Sequence, residues 1–518
     1  MRIRRYTKTI NKMRTLINYT QKNLLSSNVF TKTSLIIIAL FFSFATFAQS
    51  VGDYRSATTG NWATLGTWQR YDGSTWATPT GGQGYPGQYT GTGVVTIQSG
   101  NTVTLNTSLA QPLGALVVEG SYTTTNDIRI ITISGNLTVA NSATMNLMRS
   151  RITVNGTTTI NGSLTDDNND GWAIFVGSFN VSSTGSFTTA NSSALTFRGG
   201  IVNDGVFNKT GSGNITFNTN NQTISGLSAA TMNGTITVTG ITVTNNLSSL
   251  TLTRTSFNAL TGTGTWIQGN NTTLNTAASS INISTLDCAT HPNTVVFNRN
   301  NTQTIPGVIF HNLTLTNGST KTLGGNVTVN NDFTLSNGTT FNPAAYNFTV
   351  LGEAIIAGVI NDNNISGTST FENVNLSAGN ITGSANGVVN INGDLSVSSA
   401  NGTIGLVTLT VNGSTNISAS RTLTLNNNAG VKTFVGAVTN EGTWTSTAIT
   451  TAGNLVFQNG FTNNSSTNAA LGAATFSTNS QSLAGTGSFT FANPVVISGA
   501  ITVTNNSSNV NGVTFNNT

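Results

Sequence analysis

A single cysteine, Cys288, excludes any intrachain disulfide, and one thiol with two histidines cannot assemble a conventional zinc site. Charge is scarce too: Asp, Glu, Lys and Arg make up 7% of the 518 residues. The formal net charge of +5 misleads, because eight of the 20 basic residues lie in residues 1–48, where there is no acid. The rest of the chain has twelve bases against fifteen acids and gathers no basic face, so a nucleic-acid partner is excluded. Long apolar runs are missing with one exception, Ser34–Phe47, SLIIIALFFSFATF. As a helix it spans about 21 Å, short of the ~30 Å core of a bilayer. A basic stretch precedes it and the small-residue site Thr46-Phe47-Ala48 follows, the layout of a secretory signal cut between Ala48 and Gln49. No later segment reads as a membrane span. An exported chain without disulfides has to be held by its fold alone.

What the chain has instead is alternation. Hydrophobic residues make up 37% of it, spaced by Thr, Ser, Asn and Gly in a way that disordered segments lack. In ITVNGTTTIN (Ile152–Asn161), Ile152-Thr153-Val154 alternate as a strand with one buried face. Asn155-Gly156 then predicts a turn, since both residues tolerate positive φ, and Thr158–Ile160 resumes the strand. Nearly the same phrase stands at Ile131–Ala140, Val389–Ser398 and Leu409–Ser418; Gly135 to Gly156 is 21 residues and Gly393 to Gly413 is 20. Asn-Gly is also a hairpin signal, so tandem antiparallel β-sandwich modules are the alternative. A sandwich has no reason to repeat its corners every twenty residues. The spacing therefore predicts an all-β, right-handed parallel β-helix with coils of about 20 residues.

Longer refrains point the same way. FNTNNQTISG (Phe217–Gly226) returns as FNRNNTQTIPG (Phe297–Gly307) and FSTNSQSLAG (Phe476–Gly485), and FRGGIVNDGVF (Phe197–Phe207) returns as FVGAVTNEGTW (Phe434–Trp444), as if blocks of several coils had been duplicated. Stacking suits the composition: Thr and Ser fit pleated outer surfaces, Asn at equivalent corners can form amide ladders, and like charges would repel every ~4.8 Å. The chain divides into a signal at 1–48, an aromatic-rich N-terminal cap at 49–93 and a solenoid at 94–518, on the order of 100 Å long. The closing GVTFNNT (Gly512–Thr518) reads as an interrupted coil, which predicts a fragment of a longer protein.

Candidate chemistry is thin. In DDNNDG (Asp166–Gly171), Asp166, Asn168 and Asp170 stand at alternate positions before a glycine, a spacing that suits Ca²⁺. Gly177 stands where the closing bidentate Glu belongs, and a solvated turn accounts for the loop equally. Asp287-Cys288-Ala289-Thr290-His291 juxtaposes a thiol and an imidazole, but a buried cysteine beside a turn is the simpler reading. With coils of 20–21 residues, Asp166 or Asp167 aligns near Arg129, Arg149 or Arg151, the one acid/base neighbourhood for a polysaccharide lyase or hydrolase. Trp62, Trp68 and Trp76 suit either stacking on sugar rings or burial in the cap. No catalytic set emerges, and no cofactor is expected apart from that calcium ion.

The signal ending in Phe-Ala-Gln, the opening GNWATLGTW (Gly60–Trp68) before VVTIQSGNTVTL (Val94–Leu105), and the Gln-Thr-Ile refrains resemble the β-strand-repeat surface proteins exported by Bacteroidetes. The resemblance covers nearly the whole chain after the signal and implies export associated with type IX secretion. The C-terminal sorting domain of that route is not visible, which agrees with a fragment. It also implies a non-enzymatic adhesin or matrix scaffold on the cell surface, making many weak contacts, with glycans as partners. A polysaccharide-active β-helix enzyme and a passive stalk carrying a further module are the alternatives.

Overall fold

The computed structural model describes residues 49–166, 171–190, 192–256, 258–363, 366–509 and 513–515. The expected signal, with its cleavage residue Ala48, lies outside them. From Val94 onward the chain winds through parallel strands in a right-handed β-solenoid of about 20 turns. Each turn crosses three faces in chain order. Leu137–Val139 lies on face 1, Thr144–Asn146 on face 2 and Ser150–Val154 on face 3, and Thr158–Ile160 returns to face 1 directly over Leu137–Val139. The expected period is the coil itself: Leu116, Leu137, Thr158 and Phe179 are successive register partners on face 1. The tandem-sandwich alternative fails here, because antiparallel pairing among the described strands is confined to the cap.

Alternation decides which side chains meet. Inward positions are buried and outward ones partly exposed along almost every strand, so the interior is one continuous apolar column. Like sits on like within it. Phe175, Phe197 and Phe217 stack ring on ring at centroid separations of 5.6 Å, and Phe434, Phe457 and Phe476 repeat the motif at 5.6 and 5.7 Å. Such pairs add roughly 0.5–1.5 kcal/mol each beyond their burial.

The corner phrase works for a different reason from the expected one. Neither Asn155 nor Gly156 has a positive φ. Glycine is needed because the turns approach so closely: a Cβ on Gly156 would lie 2.5 Å from the carbonyl carbon and oxygen of Gly135 one coil below. Bare backbone lets Gly156 N–H donate to the Gly135 carbonyl at 2.9 Å and Gly135 to Gly114 at 2.7 Å. The phrase also changes vertex. Gly135 and Gly156 turn face 3 into face 1, whereas Gly393 and Gly413 turn face 1 into face 2.

The glutamine refrain behaves likewise. Gln222 opens a face 1 strand, Gln303 a face 3 strand and Gln481 a face 2 strand, so its three copies occupy three different vertices. It is a portable corner device more than the trace of duplicated blocks. Gln222 Nε2 donates to the Phe197 and Asn218 carbonyls at 2.8 and 3.0 Å while its Oε1 accepts Gly200 N–H at 3.0 Å. Gln481 reproduces this with the Phe457 and Ser477 carbonyls and Gly460 N–H. Each buried amide satisfies backbone groups that a bulged corner pulls out of the ladder.

Asparagine ladders form, with a twist on the expected pattern. Asn440 Nδ2 donates to Asn463 Oδ1 of the next coil at 2.8 Å, a buried amide-to-amide rung. More often a side-chain oxygen accepts a backbone N–H one coil on: Asn136 from Thr157, Asn373 from Asp394 and Asp394 from Ser414, at 2.7–2.9 Å. The few charges on this stack, such as Asp332 and Glu353 on successive coils, are exposed, with Asp332 Oδ1 accepting the Glu353 N–H.

Three lysines point inward. Lys432 sits between Leu409 and Leu455 in the register of face 1, and its Nζ donates to the carbonyls of Asn427 (3.1 Å), Gly430 (2.9 Å) and Ala429. Burial pushes Lys432, Lys321 and Lys209 down to about 8, with Arg299 adding to the effect at Lys321 and Arg254 at Lys209. An unfolded lysine titrates near ~10.4, so above pH ~8 the unfolded chain holds more protons than the folded one. Stability is therefore expected to rise from pH 8 to 9.5. Urea unfolding midpoints across that window check this, and Lys432→Met should show a shallower slope.

Candidate glycan-binding platform on the cap

The cap closes the first coil by side-chain chemistry. Tyr54–Ser56 pairs in parallel with Val94–Ile97, and Gly60–Asn61 pairs in parallel with Thr102–Leu105. The outermost N–H groups of the first coil are taken by Asp53 Oδ1 (Val94, 2.8 Å), Ser56 Oγ (Gln98, 2.8 Å) and Thr59 Oγ1 (Thr102, 2.9 Å). An open strand edge is thereby protected from recruiting other chains.

Inside this lid lie Trp62 and Trp68, both 0% exposed. Their rings meet edge to face at 4.8 Å, and Trp62 reaches Tyr122 of the second coil at 6.2 Å. Trp62 Nε1 donates to the Pro86 carbonyl at 2.8 Å and Trp68 Nε1 to the Trp62 carbonyl at 2.7 Å. The expectation that Trp62 and Trp68 stack on sugars is thus corrected: their faces plug the end of the core and no ligand reaches them.

Trp76 is placed differently. Beyond Tyr54–Ser56, the strands Trp68–Tyr71 and Trp76–Ala77 add on antiparallel, with Arg55 opposite Gln69 and Tyr71 opposite Trp76. The pleat that buries Trp68 turns Gln69 and Tyr71 outward beside Arg55 and Trp76, and all four are partly exposed. The Arg55 guanidinium carbon lies 4.5 Å from the centre of the Trp76 ring, and its Nε donates to Gln69 Oε1 at 2.8 Å. Tyr71 and Trp76 rings are 5.3 Å apart at 49°. The connecting turn is pinned by Asp72, whose Oδ1 accepts from Ser74 N–H, Thr75 N–H and Ser74 Oγ at 2.8–2.9 Å. The backbone donors, Thr75 first, hold the Asp72 carboxyl well below the usual range, so it stays ionised.

Two adjoining aromatic rings, Trp76 with the Arg55 guanidinium stacked over it, and an amide and a carboxylate beside them provide stacking and hydrogen-bonding groups for a sugar ring. Of this set, sequence reasoning singled out Trp76. Arg55, Gln69 and Tyr71 were missed, although WQRYDG (Trp68–Gly73), alternating strand then turn, carried the signal.

The other candidates scatter. Asp166 is 3% exposed and stacks under Thr189 and Lys209 in register, with the Lys209 ammonium as a counter-charge. Asn168 and Asp170 lie outside the described residues. Arg151 faces outward from face 3 opposite Trp172, so the fold sets that guanidinium and the inward Asp166 on opposite sides of the sheet layer. Arg129 is engaged by Asp127 at 2.8 Å. Cys288 is buried, with burial pushing its thiol up, while His291 is exposed, so the thiol and imidazole form no pair. Among the described residues no group of three or more His, Cys, Asp or Glu side chains gathers in a metal-holding arrangement.

Three parallel faces wound into coils under an aromatic lid define a capped β-solenoid. Comparison of the chain with family models, with curated proteins and with solved structures gives no match.

Proposed function

We propose that this chain is an exported cell-surface scaffold of the adhesin type, a β-solenoid that carries a glycan-contacting platform at its capped end. The observation that carries the reading is the Tyr71–Trp76 pair under Arg55, held outward on a rigid hairpin while the neighbouring tryptophans are consumed by the core. Residues 1–48 support export through their signal layout. The long faces, rich in hydroxyls and amides, add weak contacts whose sum supplies avidity.

A glycan array together with a polysaccharide-degradation screen tests the proposal. The protein is expected to retain one or more glycans. Trp76→Ala should weaken that binding about tenfold or more while shifting stability by about 1 kcal/mol or less, as surface changes do. No retained glycan removes the adhesin reading and leaves a stalk; release of products replaces it with an enzyme.

A further inference from the structure

We propose that the platform on the cap selects acidic glycans, taking a carboxylate or sulfate on the Arg55 guanidinium. The inference rests on the glycan-contacting reading above and names the chemistry of the sugar. What separates an acidic from a neutral sugar here is which polar atoms around the Tyr71–Trp76 pair are already engaged.

Arg55 leaves Tyr54–Ser56 outward and reaches over the adjoining strand. It stands opposite Gln69, yet its guanidinium carbon lies 4.5 Å from the centre of the Trp76 ring on the strand beyond. Three constraints hold it there. Its backbone belongs to a strand paired on both sides, with Trp68–Tyr71 and with Val94–Ile97. Its Nε donates to Gln69 Oε1 at 2.8 Å. Its head lies over Trp76, an attraction that strengthens as water is excluded. With Nε engaged, the Nη1/Nη2 fork remains, and it makes no hydrogen bond or ion pair with a described residue. The other guanidinium stacked on a ring among the described residues, Arg70, lies over Tyr54, which is buried inside the cap.

The side-chain acceptors of the platform are taken. Gln69 Oε1 faces Arg55, and the Asp72 carboxylate receives four donors from its own turn: Ser74 N–H, Ser74 Oγ and Thr75 N–H on Oδ1, and Thr75 Oγ1 on Oδ2. The donors are open. The guanidinium fork, Gln69 Nε2 and the Tyr71 hydroxyl hydrogen-bond to no described residue. A neutral sugar brings hydroxyls, which donate as well as accept, and among these side chains a donated proton finds only the Tyr71 oxygen. A carboxylate or sulfate only accepts, and two of its oxygens match the two parallel N–H groups of the fork. Such charge-assisted bonds are about twice as strong as neutral ones. The rings beside the fork take the apolar face of the same sugar. Because stacking and the Gln69 bond already fix the guanidinium, binding orders little that is not ordered beforehand. Arg55 is in register with Thr96, and the outward file that follows, Val117, Thr138, Thr159 and Asn180, is uncharged. An acidic chain leaving the fork along this file meets no like charge on it.

Polygalacturonate with its fully methyl-esterified form, and dextran sulfate with dextran, make two pairs that differ in the acidic group alone. Affinity of the whole chain for each is read by biolayer interferometry at low and at physiological salt. The native protein is expected to bind at least one acidic member about tenfold or more tighter than its neutral partner, and less tightly as salt rises. Which pair shows the preference separates a carboxylate from a sulfate. Arg55→Gln should bring the acidic member down to the level of the neutral one. Arg55→Lys keeps the charge without the fork and should lose about threefold or more. Arg421→Gln removes the same charge from a coil far along the chain and should change binding by less than about twofold. Circular dichroism melts confirm that the variants fold, and Arg55→Lys carries the comparison if Arg55→Gln does not. Equal binding of acidic and neutral members overturns the inference and leaves the glycan platform standing. An acidic preference that survives in Arg55→Gln, that is undiminished in Arg55→Lys, or that falls equally in Arg421→Gln overturns it too. Retention of no glycan removes the platform reading and the inference together.

Discussion

Trp62→Ala is expected to cost about 3–5 kcal/mol, the range for truncating a fully buried tryptophan. It removes a ring that touches Trp68 and Tyr122 and leaves the Pro86 carbonyl without its donor. In a stack whose coils contact mainly their neighbours, the loss should be local. Hydrogen exchange is expected to accelerate at Val95, Val103 and Leu116 and to stay unchanged around Val438 and Phe461. The exposed first edge should also make the variant prone to aggregate. A cost under about 1 kcal/mol, or acceleration spread evenly along the chain, would show that the aromatic lid does not close the core.

Gln222→Leu should be nearly as damaging although it exchanges a polar side chain for an apolar one of similar size in an apolar interior. The amide serves the buried Phe197 carbonyl and Gly200 N–H and the part-buried Asn218 carbonyl. Each buried group left unmade costs about 1–3 kcal/mol, so a total loss of about 3 kcal/mol or more is expected. Thr223→Ala on the adjoining outward position should stay within about 0.5 kcal/mol. Urea unfolding of the two variants makes the comparison; equal midpoints would mean the refrain is an accident of composition.

The coil and its period were legible because they rest on local rules, alternation for burial and a recurring Gly for the corner. Gly135 and Gly156 announced the period directly, since only a residue without Cβ fits where one turn lies on the last. The reason was misread: tolerance of positive φ explains hairpin glycines, whereas these respond to a neighbour about 21 residues away that no local rule includes. The migrating vertex was invisible for the same reason. A corner phrase specifies how two strands meet and carries no label for which faces they join.

The candidate site was half legible. An aromatic-rich opening marked the cap, yet nothing in the order of Trp62, Trp68 and Trp76 says which rings the core will claim. That depends on the antiparallel pairing of Trp68–Tyr71 with both Tyr54–Ser56 and Trp76–Ala77, which sets Arg55, Gln69, Tyr71 and Trp76 on one outer face. Asp166 illustrates the same pleat: its position in Ser163–Asp166 is inward, below Thr189 and Lys209.

In-register stacking of successive coils underlies the shared core, the glycine corners and the amide rungs, and paired cysteines read that register directly. Thr138 and Thr159 face each other across one coil step, where Cα atoms are ~4.8 Å apart, within reach of a disulfide. Thr138 and Asn180 are separated by two steps, about 9.6 Å, beyond it. Under mild oxidation, Thr138→Cys/Thr159→Cys is expected to cross-link within the chain nearly completely, and Thr138→Cys/Asn180→Cys not at all. The reverse preference, or no bond in either, would contradict the stacked solenoid.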